Sequence, residues 1–278
     1  MRTLPLVLVS ALALAACATA SPVQDAPSNP DQRLYLSLGD SYATGFSPNG
    51  TTESFARIVA GQSGLGLVSL ACNGATSADL LSGEACEPES AGRTQVDEAV
   101  DVLRSGRVDL VTVVIGSNDL LEPCAVAENP AECAAAEVTA TRTNIATALT
   151  RFREVAPDVR IVGLGYPDVY LGAWVDPSLP NGESLARTSV ALYEDFNAQV
   201  AAEYGKFGAT FVDVTRATGG YDALTDLTRD PRYGEIPAPV AKVCALTYFC
   251  EEADVHPTPA GHQAIAAAVA EAVAGTRR

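Results

Sequence analysis

The sequence predicts a single α/β domain, from about residue 33 to residue 276, in which helices cover both faces of a five-stranded parallel sheet. Two observations support this prediction. Short apolar runs alternate with stretches of helical periodicity, and the third run contains the β-branched segment LVTVVI. Such a segment is typical of a strand buried on both faces, and strands that alternate with helices form parallel sheets. With 47% apolar residues, the 278-residue chain can bury a sizeable core.

Each predicted strand is a short apolar run, and each predicted helix has apolar residues spaced three or four apart. The predicted strands are 34–38, 67–70, 109–115, 159–164 and 210–214, and the predicted helices are 54–60, 94–103, 138–155, 185–204 and 259–274. Two long connections, 166–183 and 215–253, are predicted to be loops. Loops of that length are usually functional or cross-linked.

The N-terminal segment carries targeting features. Arg2 precedes an apolar stretch of 13 residues, 4–16. This stretch is too short to span a bilayer, which predicts a signal peptide over residues 1–16. The following LAAC sequence resembles the lipobox of bacterial lipoproteins. The resemblance implies that Cys17 carries lipid, so that the protein is membrane-anchored on the extracytoplasmic side. Residues 18–32 are polar and Pro-rich without periodicity, which predicts that 17–32 comprise the lipidated Cys and a flexible tether. Cleavage after Ala20 is the alternative, and it would give a soluble secreted or periplasmic protein.

The charge and the cysteines restrict the partners. A formal net charge of −16 argues against nucleic-acid binding. Six cysteines remain after Cys17, and an even number in an exported chain indicates disulfides, with fifteen possible pairings. They form three close pairs in predicted loops, so we expect the bonds Cys72–Cys86, Cys124–Cys133 and Cys244–Cys250. A zinc site is disfavoured because no C-x-x-C spacing occurs. We expect a monomer without a metal or cofactor.

Polar clusters follow the first three predicted strands: Gly39-Asp40-Ser41, Asn73-Gly74-Ala75 and Gly116-Ser117-Asn118-Asp119. A histidine, His256, precedes the last helix. Since ligands bind at the carboxyl ends of parallel strands, all four groups are expected to meet at one edge. A serine with a histidine base suits acyl transfer, and backbone amides with an Asn side chain suit an oxyanion hole. Each residue alone has a structural explanation, such as a helix cap at Ser41, but their convergence favours catalysis.

These motifs identify a family resemblance. GDSYATG, CNGATSADL, VVIGSNDL and DVHPTPAGH, between Gly39 and His262, resemble the four blocks of SGNH (GDSL) hydrolases. The likeness extends to secreted actinobacterial lipases and esterases, which share the GYP turn at 165–167 and three disulfides. The resemblance implies a three-layer α/β/α fold with a flavodoxin-like sheet. It also implies that Ser41 is the nucleophile and His256 the base, and that the oxyanion hole is formed by the Ser41 and Gly74 amides and the Asn118 side chain.

The implied activity is that of a carboxylesterase or lipase acting on small-molecule, lipid or glycan esters. The alternatives are an O-acetyl esterase for a cell-wall or other polysaccharide, and a non-catalytic surface lipoprotein. A metal-dependent hydrolase using Asp254, His256 and His262 is disfavoured because the H-E-x-x-H pattern is absent. His262 is interpreted as structural. An α/β-hydrolase is disfavoured because no G-x-S-x-G motif occurs.

The acid partner of His256 departs from the family pattern. The family's acid stands three residues before the histidine, where this chain has Ala253, whereas Asp254 stands only two before. Either Asp254 orients the imidazole, or the Ala253 carbonyl does so and the enzyme is a dyad. The register favours the carbonyl. On that interpretation, Asp254→Asn would lower kcat by less than about 10²-fold, against ~10⁴ for a triad acid.

Overall fold

The computed structural model describes residues 29–86, 92–125 and 127–275. The predicted signal peptide, the proposed lipidation site Cys17 and most of the tether lie outside these residues. Within them, no helix has the length and apolar character needed to cross a membrane.

A five-stranded, wholly parallel sheet forms the centre of the fold, in the order β4-β1-β5-β6-β7. The strands of the described residues are β1 (Leu34–Gly39), β2 (Phe46–Ser47), β3 (Gly50–Thr51), β4 (Gly66–Ser69), β5 (Val108–Val114), β6 (Arg160–Leu164), β7 (Thr210–Val212), β8 (Leu227–Asp230) and β9 (Gly234–Pro237). Counted along the chain, the central strands have the order 2-1-3-4-5, which is the flavodoxin-like arrangement. The strand order reverses between β1 and β5, and in such sheets ligands bind outside the carboxyl ends of those two strands.

Helices cover both faces of the sheet. They are α1 (Ser41–Thr44), α2 (Phe55–Ser63), α3 (Asp79–Ser82), α4 (Gln95–Leu103), α5 (Ser117–Ala125), α6 (Pro130–Val155), α7 (Gly182–Lys206), α8 (Val214–Ala217), α9 (Ala238–Leu246), α10 (Phe249–Glu252) and α11 (Pro259–Gly275). On one face α6 packs between α4 and α7, and on the other α2 packs against α11. Side-chain caps at Ser54, Thr94 and Asn129 begin α2, α4 and α6, each by accepting a backbone N–H bond.

The predicted fold class is confirmed, and the five predicted strands match β1, β4, β5, β6 and β7 within two residues at each end. The five predicted helices correspond to α2, α4, α6, α7 and α11, although α6 begins at Pro130, eight residues before the predicted start. The prediction that 215–253 is a loop is wrong, because it folds into the β8–β9 hairpin, α9 and α10. The other predicted loop, 166–183, contains a 3₁₀ helix, Val169–Val175. The elements of 215–253 pack with this 3₁₀ helix around a second small core that includes Leu171, Ile236 and Val240. Their apolar residues show no clear period because they face this core from several sides.

The disulfides join neighbouring helices as well as loops. Cys72 is bonded to Cys86, Cys124 to Cys133 and Cys244 to Cys250. The second bond ties α5 to α6, and the third ties α9 to α10, so the expectation that all six cysteines lie in loops is wrong. Helix α5 contains Pro123. Because a proline is unfavourable inside a helix, the sequence of this segment does not predict one.

Candidate active site

The end of β1 places Ser41 at the carboxyl edge of the sheet. Gly39 has φ +131°, and a Cβ at this position would overlap the Val114 carbonyl oxygen on β5, so only glycine allows this close turn. The buried Gln95 amide binds both the N–H and the carbonyl of Gly39, each at 2.9 Å. Asp40 then caps α1 by accepting the Tyr42 N–H at 3.0 Å. The nucleophile candidate therefore occupies the first residue of a short helix held rigidly at the strand end.

Ser41, His256 and Asp254 form a continuous hydrogen-bonded chain. Ser41 Oγ lies 2.8 Å from His256 Nε2, and His256 Nδ1 lies 2.8 Å from Asp254 Oδ1. Ser41 is only 8% exposed, and the imidazole also contacts the Phe46 ring with centroids 4.7 Å apart. This geometry allows the imidazole to accept the serine proton while a carboxylate holds its other nitrogen.

The sequence favoured the Ala253 carbonyl as the partner of His256 Nδ1, whereas in the structure the Asp254 carboxylate lies at hydrogen-bond distance from this nitrogen. That preference rested on the register along the chain, but Ala253 has φ +51° and ends α10 in the left-handed region. The chain therefore turns, and Asp254 Oδ1 also accepts the His256 N–H at 2.9 Å. The Asp254 side chain closes this turn by accepting the backbone N–H of the residue two positions later. The turn brings the same Asp254 oxygen to Nδ1 of His256.

The loop after β4 faces α5 across the site. Asn118 Nδ2 donates to the Ala75 carbonyl at 2.9 Å, and Asp119 accepts the Ser77 amide at 2.8 Å and the Ser77 hydroxyl at 2.5 Å. Gly74 itself is exposed and has φ +76°, which suits glycine. Within the described part of the chain, the N–H groups of Ser41 and Gly74 have no hydrogen-bond acceptor. Two amides thus remain available beside an anchored Asn side chain.

Comparison with known proteins identifies the family. Residues 37–264 match the GDSL-like lipase/acylhydrolase family. The chain belongs to this family. It is therefore a carboxylic ester hydrolase of the lipase and esterase class. The comparison with curated proteins returned no match.

Solved structures of GDSL lipases and esterases share the fold. An extracellular lipase from Streptomyces rimosus is 23% identical, with a TM-score of 0.54 over 86% of this chain and 99% of that chain. A phospholipase A1 from Streptomyces albidoflavus is 19% identical, with a TM-score of 0.52 over 87% and 99%. An acetylxylan esterase from Geobacillus stearothermophilus is 18% identical, with a TM-score of 0.50 over 87% and 94%. At these identities the likeness establishes the fold.

A cavity of about 380 Å³ opens beside the Asn118 side of this GDSL site. Among the described residues that line it, none is a large aliphatic or aromatic side chain. The Glu137 carboxylate and the Asn144 amide, both from α6, contribute to its wall together with Asn118. Asn144 Nδ2 also donates to Ser77 Oγ at 2.9 Å, so α6 supports the same loop that Asp119 holds. The rest of the wall includes small apolar residues, among them Ala78, Pro123 and Ala140, so the lining is mixed. Hydrogen bonds hold the Asn118 and Asn144 side chains in this wall.

Sequence reasoning missed the groups that support the GDSL serine. Asp40 is 1% exposed, and its Oδ2 accepts the Tyr166 hydroxyl at 2.5 Å. Burial raises the pKa of Asp40 to about 7, although the hydrogen bonds from Tyr166 and Tyr42 act in the opposite direction. The GYP turn, which contains Tyr166, was a signal for this contact, but its partner could not be identified from the sequence.

The second histidine is a structural group. His262 is fully buried on α11, and its Nδ1 accepts the Phe55 amide of α2 at 3.3 Å. Burial lowers the pKa of His262 to about 4, so it is neutral at physiological pH. Across residues 29–86, 92–125 and 127–275, no group of three His, Cys, Asp or Glu side chains is arranged to hold a metal ion.

The raised pKa of Asp40 predicts a stability effect. The folded state binds a proton at Asp40 more tightly than the unfolded state, so this contribution is present in full below pH 4 and is lost as pH rises through about 7. The lowered pKa of His262 makes stability rise with pH between about pH 4 and 6.5. Because His262 is present in both the wild type and Asp40→Asn, the difference between the two proteins isolates the contribution of Asp40. We expect the wild type to lose stability relative to Asp40→Asn when pH rises from 5 to 7.5. Urea unfolding of both proteins measures this difference, and parallel pH curves would contradict it.

Proposed function

We propose that this protein is a serine esterase in which Ser41 is the nucleophile, His256 the general base and Asp254 the acid partner. The observation that carries the proposal is the unbroken chain from Ser41 Oγ to His256 to the Asp254 carboxylate, with both links at 2.8 Å. Ser41 becomes nucleophilic when a base takes its proton.

In the first half-reaction, Ser41 Oγ attacks the ester carbonyl carbon while its proton passes to His256 Nε2. The carbonyl oxygen becomes an oxyanion, which the Ser41 amide, the Gly74 amide and the Asn118 side chain stabilise by donating hydrogen bonds. The intermediate collapses as the bond to the alcohol oxygen breaks, and His256 gives the proton to the leaving alcohol. A water molecule, activated by the same imidazole, then hydrolyses the acyl-enzyme and releases the acid.

Asp254 contributes to this cycle through His256. Its carboxylate accepts the Nδ1–H, which leaves Nε2 free to accept the serine proton. Once the imidazole is protonated, the negative charge beside it stabilises the imidazolium. Because Asp254 Oδ1 also binds the His256 amide, the carboxylate cannot rotate away without breaking a second bond.

The lining of this cavity supports a preference for short acyl groups, because its described apolar residues, among them Ala78, Pro123 and Ala140, are small. Binding a long alkyl chain gains about 25 cal/mol for each Å² of apolar surface buried, which requires an apolar wall. The described wall has the Glu137 and Asn144 side chains in this position. This favours the second candidate function, an O-acetyl esterase for a hydroxyl-rich polysaccharide, over a lipase for long-chain lipids.

A series of p-nitrophenyl esters tests the substrate class. We expect kcat/KM to be highest for acetate to butyrate and to fall by about tenfold or more for laurate and palmitate, since a wall without large apolar side chains gains little binding free energy from each added methylene. The Ser41→Ala variant is the baseline for non-enzymatic hydrolysis. A rate that rises steadily to palmitate would instead support a lipase.

We also propose that the enzyme is exported, since its described domain carries three disulfides and such bonds persist in oxidising compartments. Its partners on this proposal are an ester substrate and, through lipid on Cys17, a membrane. The LAAC sequence supports the anchor, and cleavage after Ala20 is the alternative.

A further inference from the structure

Tyr42, the residue after the candidate nucleophile, reaches across the site to residues 253–258, which contain His256 and are called the histidine loop. Its side chain is 4% exposed, and its hydroxyl donates to the Val255 carbonyl at 2.5 Å. Val255 stands between Asp254 and His256. The hydrogen bond therefore joins the helix that carries the nucleophile to the backbone of the segment that carries the base and the acid.

The Tyr42 ring is fixed from the nucleophile side. Its amide is bound by Asp40, and its ring packs edge-on against Tyr166 with centroids 5.0 Å apart. The same ring lies 6.0 Å from the His256 imidazole. Tyr166 in turn donates to Asp40, so two tyrosines and one carboxylate form a buried support under α1. The Tyr42 hydroxyl consequently has a well-defined position relative to Ser41.

The histidine loop is otherwise anchored to a different part of the fold. The His256 carbonyl accepts the Tyr248 amide at 3.0 Å, and the Thr258 amide donates to Leu246 at 2.9 Å. Both partners belong to the α9–α10 region, which packs in the second small core rather than beneath α1. Between α1 and residues 254–256, the described hydrogen bonds are those of Ser41 to His256 and of Tyr42 to Val255.

The Tyr42 hydroxyl can keep its hydrogen bond to the Val255 carbonyl throughout the reaction. Burial raises its pKa, and the charges of Asp40 and Asp254 raise it further, so the hydroxyl remains protonated and donates to the carbonyl. The Ser41–His256 bond must break and reform in each half-reaction. The Tyr42–Val255 bond takes no part in proton transfer and can persist through the cycle, which keeps Nε2 within reach of Oγ.

We propose that Tyr42 is a positioning residue for the catalytic histidine, acting through the Val255 carbonyl. This inference rests on the proposed Ser41–His256 mechanism. It assigns to the Tyr42 hydroxyl the control of the distance between nucleophile and base, separate from the packing of the tyrosine ring.

The test compares Tyr42→Phe with Tyr35→Phe. Tyr35 is a matched control because it is fully buried on β1 and its hydroxyl is also hydrogen-bonded inside the protein, at 2.7 Å from Thr112 Oγ1 and away from the site. A misplacement of about 1 Å can cost ~10²-fold in rate. We therefore expect Tyr42→Phe to lower kcat by roughly 10- to 100-fold with little change in KM. We expect the rate of Ser41 labelling by a fluorophosphonate to fall in parallel. Tyr35→Phe should retain both rates.

Two further variants at position 42 separate the loss of the hydrogen-bond donor from a failure to fold. 4-Aminophenylalanine and 4-methylphenylalanine at position 42 are nearly equal in size to each other, and only the first retains a donor. We expect the amino variant to recover most of the kcat and labelling rate that the methyl variant loses, whether or not Tyr42→Phe folds. Equal rates for the two variants, or a Tyr42→Phe enzyme as fast as Tyr35→Phe, would overturn the positioning role. If Ser41→Ala were active, the proposed function itself would fail, whereas an inactive Ser41→Ala with a fully active Tyr42→Phe would refute this inference alone.

Discussion

Replacement of Ser41 by alanine is expected to reduce ester hydrolysis by about 10⁴-fold or more, because loss of the nucleophile removes the covalent route. The fold should change little. Ser41 Oγ makes its one described side-chain hydrogen bond to His256, and a single such bond contributes about 0.5–1.5 kcal/mol net. The measurement is kcat/KM for p-nitrophenyl acetate, with the thermal midpoint recorded on the same samples.

Ser37→Ala provides the control for Ser41→Ala. Ser37 lies on β1, the strand that ends just before Ser41, is fully buried in the sheet and has its hydroxyl 3.4 Å from Thr112 Oγ1. This variant should keep its esterase activity while losing a comparable hydroxyl. If Ser41→Ala retained more than a tenth of the wild-type rate, Ser41 could not be the nucleophile.

Replacement of Asp254 by asparagine is expected to lower kcat by about 10⁴-fold, as for the aspartate of a Ser-His-Asp triad. The carboxylate lies 2.8 Å from Nδ1 and is also held by the His256 amide. An asparagine can preserve the turn, but its amide carries no charge to stabilise the imidazolium. Its NH2 group can also donate to Nδ1 and so favour the wrong tautomer. The expected result is a large loss of kcat without unfolding.

Asp176→Asn is the matched control for the turn itself. Asp176 Oδ1 accepts the Ser178 amide at 2.8 Å, the same two-residue closure that Asp254 makes, but outside the candidate active site. We expect this variant to retain full activity. A loss below about 10²-fold for Asp254→Asn would return the assignment to the Ala253 carbonyl and a Ser-His dyad.

The sequence by itself determined the fold class and the chain segments that meet at the site. Apolar runs such as LVTVVI predict strands because a strand buried on both faces must be apolar throughout. In a parallel sheet all strands end at the same edge. The order of strands and helices therefore places Ser41, Gly74 and Asn118, which follow three of these strands, at one edge of the sheet. Local periodicity and connectivity are sufficient for these conclusions.

Segments with no simple period required the tertiary structure. Helices α9 and α10 form because their apolar residues pack into a second core with the 3₁₀ helix Val169–Val175, and that partner is distant in sequence. Sequence patterns report local period and cannot identify a surface that is created only when remote segments meet. The same reason explains why α5, with its internal proline and its disulfide to α6, was not predicted.

The partner of His256 also required the tertiary structure. Register along the chain favoured the Ala253 carbonyl, yet the left-handed conformation of Ala253 turns the backbone and brings the Asp254 carboxylate to Nδ1. The Tyr42–Val255 contact joins residues 213 positions apart, and no local pattern encodes such a distance. Hydrogen bonds form where the folded backbone brings donors and acceptors within about 3 Å at a suitable angle, and packing of the whole domain determines those positions.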